Sequence, residues 1–362
     1  MVMNREPSLT FADKDIVLVS TAIAEGNDPL KIDRIVRSVF EIPGITLIEV
    51  DPNKRIDRTN VLFGGRKEVV KAAAETLIYC AFDTLDLTQK PVDFPWLSVL
   101  DNISFLPLQV SELPETTQLA SQFAQKISEK YSLPIYLYGN CAKIPERQSI
   151  THFRDLNLEK LKKVISSEEW KPDFGPRHLK RDRGALIVGS RLYHLTVAIY
   201  FDTEDVELIE ELSQIYKHLP TSMETPEVSG NPVRRIDRLR EVTNLLQNMV
   251  VIIDDNPEEK WVRMLCNIPD YTKTPLHKIY EIFEDEAARL GIETIGMSIL
   301  SYVPAEALFT SAKYFRKKIP PKHSNEAALP LLQLVIKKLK LNAMEPFSPR
   351  RKILDLYFMN EP

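Results

Sequence analysis

Glycine is scarce in this chain: 11 glycines occur among 362 residues, where the roughly 7% usage of ordinary proteins would give about 25. Sites that bring the backbone up against a ligand use glycine for the close approach, so the shortage bears on function. No P-loop and no G-x-G-x-x-G run occurs. Cysteine is rarer still. Cys80, Cys141 and Cys266 lie far apart, are odd in number and lack metal-ligand spacing, which excludes a disulfide framework and points to buried thiols in a reducing compartment. No apolar run approaches the ~18 residues of a membrane span, and the polar residues 1–15 contain no apolar signal core, so a cytoplasmic location is expected. A basic excess is also missing. Forty-seven Lys and Arg stand against 51 Asp and Glu, a net charge of −4, which argues against a nucleic-acid binder. The short clusters Lys317-Lys318, Lys337-Lys338 and Arg350-Arg351-Lys352 read as solvated helix ends. His152, His194, His218 and His323 form no i, i+4 pair and no H-E-x-x-H pattern, so no metal site is expected. His277 reads as a satisfied helix histidine.

The remainder is that of a globular protein, 44% hydrophobic and 27% charged. Its length exceeds what a single core usually serves and predicts two subdomains. The first half reads β-α-β-β-α-β. Residues 16–19 form a short apolar strand, and Asp28-Pro29 caps and opens a helix whose face is Ile32, Ile35, Val36, Val39 and Phe40. Strands follow at 45–50 and 61–63, the latter stopped by Gly64-Gly65. Val70, Ala73, Ala74, Leu77 and Ala81 mark a second helix, and 103–108 a fourth strand. Leu119, Phe123 and Ile127 mark a further helix leading to a strand at 135–138. The second half repeats the order: a strand at 194–201, a helix at 206–216, a hairpin of 249–253 with 261–268, a helix from Leu276 closed by Gly291, and a last strand at 292–297. Pro304 opens another helix. Residues 219–232 read as an inserted loop, and 327–341 as a terminal helix whose first turn accepts Pro330. The expected fold is α/β (α+β): two ferredoxin-like βαββαβ subdomains whose sheets face a central cleft.

Trp170-Lys-Pro-Asp-Phe-Gly-Pro176 closely resembles the W-x-P-D-x-G-P signature of glutamate formiminotransferases. Glu49-Val-Asp51 with Asp57-Arg58-Thr59 resembles that family's D-V-D … N-R-T. Leu137-Tyr138-Gly139, Gly184-Ala185 … Gly189-Ser190-Arg191 and Pro346-Phe347-Ser348-Pro349 match its later motifs in order. The resemblance covers nearly everything after the first dozen residues. It implies a tail at 1–12, an N-terminal subdomain at 13–190, a C-terminal subdomain at 191–322 and a helical segment at 323–362, without the cyclodeaminase domain that some members carry. It further implies tetrahydrofolate or a related folate as the ligand, transfer of a formimino group, and by analogy a homodimer.

The family's catalytic histidine precedes a proline in a stretch that here reads Asp86-Leu-Thr-Gln-Lys-Pro-Val-Asp-Phe94-Pro95-Trp96-Leu-Ser98. Phe94 stands at the histidine's place, Val92 and Ser98 at glycines, and Trp96 at an arginine. A second departure lies at residues 242–250, where the family's glycine is absent. An imidazole relays protons because it titrates near working pH; a phenyl ring has no proton to exchange. The resemblance places folate contacts at Asp51, Arg58, Gly175, Pro176, Arg177, His178, Arg183 and Gly184. At 177–183 two readings stand side by side, His178 as a substitute base with the arginines holding carboxylates or a solvated basic loop, and Asp51 with Arg58 reads equally as a strand-end ion pair. Two readings follow: a folate-binding relative with lost or altered transfer, or an active one-carbon transferase with a relocated base. A non-catalytic scaffold with a protein partner is the third outcome.

Overall fold

The protein is described by a computed structural model over residues 15–91, 94–214, 250–256, 260–317 and 328–359. The chain divides into two units. One comprises the described residues of 15–192 with 357–359, the other the described residues of 193–356.

The first unit runs β1 (Ile16–Ile23), α1 (Pro29–Phe40), β2 (Ile45–Asn53), β3 (Arg58–Arg66), α2 (Lys67–Thr84), β4 (Ile103–Pro107), α3 (Leu113–Tyr131), β5 (Ile135–Gly139), α4 (Leu158–Val164) and β6 (Leu186–Ser190). Its six strands lie in the order β2-β3-β1-β4-β6-β5. β1 is antiparallel to β3 and β4, while β4, β6 and β5 run parallel. α1 forms for local reasons. The Asp28 carboxylate accepts from the Leu30 and Lys31 amides, Pro29 occupies the first turn, and Ile32, Ile35, Val36 and Val39 recur at helical spacing and are buried. Val17 and Val19 of β1, Phe105 of β4 and Val188 of β6 alternate onto the same sheet face and pack with Ile35, Leu77 and Phe123 in one core. Tyr136, Tyr138 and Ile187 point to the opposite face and form a second cluster with Phe153, Leu161 and Ile165.

The second unit contains β7 (Leu195–Phe201), α5 (Val206–Gln214), β8 (Val250–Asn256), β9 (Trp261–Ile268), α6 (Leu276–Arg289), β10 (Thr294–Ile299), α7 (Ala305–Lys317), α8 (Ala328–Lys338) and α9 (Pro349–Lys352). Its four strands lie in the order β10-β7-β9-β8. This repeats the connectivity of β1 to β4, so the expected mixed α/β architecture with two sheets is present. Gly291, at φ +76, ends the turn after α6, and Pro330 sits in the first turn of α8 as its missing amide requires.

Two expectations need correction. Gly64 and Gly65 do not stop β3; they pair with Leu18, Thr46, Val17 and Ile45 inside it. A Cβ on Gly64 would lie 2.6 Å from both Leu18 Cδ2 and the Phe358 ring, so glycine there admits a packed phenyl group rather than a turn. The sheet also extends beyond β4 by β6 and β5, because residues 186–190 form a central strand that their Val-Gly-Ser ending conceals. The loop 219–232, the stretch 242–249, His218 and His323 lie outside the described residues. Among the described residues no helix is long and apolar enough to cross a membrane, and all three cysteines are free and buried.

Candidate functional site

The signature segment after α4 clasps the edge of β5. Asp173 Oδ2 accepts from the Leu137 amide at 2.8 Å and from Arg147 at 3.0 Å. Arg147 also donates to the Glu169 and Lys171 carbonyls, and Tyr136 Oη to the Trp170 carbonyl. The His152 ring stacks on Trp170 at 4.8 Å. Gly175 has φ +86, and a Cβ there would lie 2.2 Å from the Leu133 carbonyl oxygen. Gly184, at φ +68, would put a Cβ 1.8 Å from the Leu97 carbonyl oxygen, where the adjacent Ala185 amide donates to that same oxygen. Both glycines are required by backbone conformation and close approach.

Phe94 and Trp96 meet on the chain between α2 and β4, their rings 5.4 Å apart and tilted by 58°. Trp96 is buried in the helix-side core. The replacement at 98 is also accommodated: the buried Ser98 hydroxyl donates to the Arg183 carbonyl at 2.6 Å. Lys90 Nζ lies 5.8 Å from the Phe94 ring centre and pairs with Asp57 at 2.6 Å. Burial works to raise the Asp57 carboxyl, but Lys90, the Gly26 amide and Asn27 together hold it below the usual carboxylate range.

The Arg58 guanidinium lies over the Trp96 ring at 5.3 Å, a cation–π arrangement. It donates to Asn60 Oδ1 at 2.8 Å and approaches Asp101 at 3.7 Å. Burial lowers its pKa, Asp101 opposes that shift, and the nearby Arg154 adds to it. Asp101, 2% exposed, takes both terminal nitrogens of Arg154 at 2.5 and 2.8 Å. The exposed Asp51 accepts from Asn60 at 3.4 Å, so Asp51 and Arg58 join one polar chain beside Trp96. Its two guanidinium groups, Arg58 and Arg154, are balanced by the two carboxylates, Asp51 and Asp101.

The other sequence-predicted residues are placed elsewhere. Arg177 pairs with Glu168 at 2.6 Å and reaches the Ser166 carbonyl. His178 is exposed. Pro176 is half-buried next to Gly175. Arg183 stacks over Phe82 at 5.3 Å; its Nε is 3.3 Å from Asp182 without hydrogen-bond geometry.

Beside Phe94 and Trp96 lies a cavity of ≈ 170 Å³. Leu87, Pro91, Leu158 and Leu179 form its apolar wall, and Lys90, Lys162, Arg181 and Glu159 its charged one. His178 is not among its lining residues, whereas its neighbours Leu179 and Arg181 are. Lys162 and Glu159 were invisible to sequence reading because α4 is only seven residues long. The available signal was the Asn157 cap, which accepts from Lys160 N, ahead of Leu158, Leu161 and Ile165. Among the described residues, no three His, Cys, Asp or Glu side chains are grouped to hold a metal ion.

Residues 16–191 match the family model described as the formiminotransferase domain, N-terminal subdomain, and residues 238–359 match that of the formiminotransferase domain. Formimidoyltransferase-cyclodeaminase of Rattus norvegicus is 26% identical over 337 residues, covering 92% of this chain and 58% of that protein. The Sus scrofa protein of the same name is 27% identical with the same coverage. The chain thus spans 58% of the length of these relatives. Glutamate formimidoyltransferase of Thermoplasma acidophilum is 25% identical over 81% of this chain and 89% of its own. Among solved structures, the periplasmic protease PqqL of Escherichia coli is matched over 90% of this chain and 40% of that one at 10% identity, with a TM-score of 0.16; so low a score carries no argument.

Proposed function

This chain belongs to the formiminotransferase family, and we propose that it binds a folate-type ligand beside Trp96 while its capacity for formimino transfer is lost or altered. The observation that carries the reading is the Phe94–Trp96 pair. Position 94, where the resemblance sets a proton-relaying histidine, holds a phenyl ring packed against indole. A ring without an exchangeable proton cannot serve as general acid or base. Tetrahydrofolate is an expectation drawn from the family; the chain's own residues fit it in one respect. Arg154 spends both terminal nitrogens on the buried Asp101, while Arg58 stands off at 3.7 Å, which leaves Arg58 as the cation for a carboxylate of the kind every glutamyl folate carries.

The relocated-base reading asks His178 to take over proton transfer. His178 is exposed and absent from the lining of the cavity that Phe94 borders, so no observation favours it.

Titration of tetrahydrofolate against tryptophan fluorescence tests the ligand claim. Saturable quenching is expected in the wild type, weakened roughly tenfold in Arg58→Ala for the loss of a charge-assisted contact. An unquenched wild type would end the folate reading.

A further inference from the structure

We propose that the cavity beside Phe94 is a binding site for a small one-ring aromatic carboxylate of the benzoate class, separate from the folate reading and not dependent on it. Size comes first. An apolar cavity of about 150 Å³ accommodates benzene, so ≈ 170 Å³ takes one six-membered ring with a small substituent. It falls short of the roughly 300 Å³ at which drug-sized ligands begin to fit. A folate, with a fused bicycle and a second ring, does not fit inside.

Shape and charge then select the chemistry. The half-buried Phe94 ring, tilted at 58° to Trp96, borders the cavity as an aromatic partner for a third ring. Leu87, Leu158 and Leu179 close the remainder of the apolar wall. Of the three cations at the cavity, Lys90 is already matched by Asp57 at 2.6 Å. Among the described residues, Lys162 and Arg181 have no ion-pair partner, and Glu159 is the one carboxylate in the lining. Among the described lining residues one positive charge is left uncompensated, which fits a monoanion. A phosphate would have to shed its water against leucine and phenyl walls, at high cost. A carboxylate attached to a ring puts its apolar body against those walls and its charge at the Arg181 fork. Phe94 and Trp96, the two aromatics that depart from the family pattern, are thereby given a shared purpose.

The test uses the full chain and benzoate itself, followed by calorimetry and by tryptophan fluorescence, with benzamide and inorganic phosphate as controls. Benzoate is expected to bind saturably, with benzamide roughly tenfold weaker and phosphate not at all. The double variant Lys162→Ala, Arg181→Ala touches only exposed side chains and is expected to retain the wild-type circular dichroism while losing roughly tenfold in benzoate affinity. Phe94→Ala enlarges the cavity and is expected to admit 2-naphthoate, which the wild type rejects. The Lys162→Ala, Arg181→Ala double variant is expected to weaken benzoate and leave tetrahydrofolate unchanged, so the two claims fail separately. No saturable benzoate binding below about 10 mM, equal affinity for benzamide, or an unaffected double variant would overturn the proposal.

Discussion

Arg147 and Asp173 form an ion pair at 3.0 Å with each side chain only 5% exposed. The aspartate belongs to the segment by which the chain resembles its family, yet every bond it makes is structural: the Leu137 amide, Arg147 and, more loosely, Lys143 at 3.7 Å. Replacing it leaves a guanidinium buried without its partner. Asp173→Ala is therefore expected to cost about 3–5 kcal/mol, read as a lower urea midpoint. A loss below about 1 kcal/mol, the worth of an exposed pair, would show that the segment does not clasp β5.

Gly184 gives a second, independent check on that region. Alanine there must adopt φ +68 and place Cβ 1.8 Å from a backbone oxygen held by the Ala185 amide. Gly184→Ala should destabilise by well over about 1 kcal/mol, the scale at which left-handed positions penalise a Cβ. A neutral outcome in thermal unfolding would mean that residues 97 and 184 do not approach as described.

The Asp355 carboxyl gives a pH dependence whose sign can be worked out. Burial pushes it up to about 6, against the bond it accepts from the Ala305 amide at 2.7 Å. The folded state then holds this proton at pH values where the unfolded chain has released it. Its contribution is complete below the ordinary carboxylate range and is lost as pH rises through about 6. At about 1.4 kcal/mol per unit, the penalty above pH 6 is on the order of 3 kcal/mol. Asp355→Asn keeps an acceptor for Ala305 and removes the titration. The stability difference between wild type and variant should change between pH 4 and 6.5 and be flat above; a difference constant with pH would contradict the burial of a charged group at α7.

Much of the fold was legible because local and tertiary signals agree. Asp28-Pro29 and the spacing of Ile32, Ile35 and Val39 delimit α1, and Trp261–Ile268 coincides with β9. Gly64 and Gly65 misled because their requirement is tertiary: Phe358, almost three hundred residues away in sequence, occupies the space a side chain at 64 would fill, and the Gly44 carbonyl oxygen lies 2.6 Å from where a Cβ at 65 would stand. β6 was overlooked for the same reason, since its identity comes from β4 and β5 on either side. At the site, the Phe94 and Trp96 departures were visible in sequence, but what they build was not. Lys162 and Arg181 reach the cavity from a short helix and a turn, neither of which has a periodicity to read. The glycines of the matched motifs are legible as glycines, but only φ and the Leu97 and Leu133 carbonyls reveal why.

The most direct measurement is formimino transfer from formiminoglutamate to tetrahydrofolate by the purified wild-type chain beside Phe94→His. The account predicts no turnover above the uncatalysed rate in the wild type, with tetrahydrofolate still bound, and a measurable gain when imidazole replaces phenyl at 94. Robust wild-type turnover that disappears in His178→Ala would contradict it.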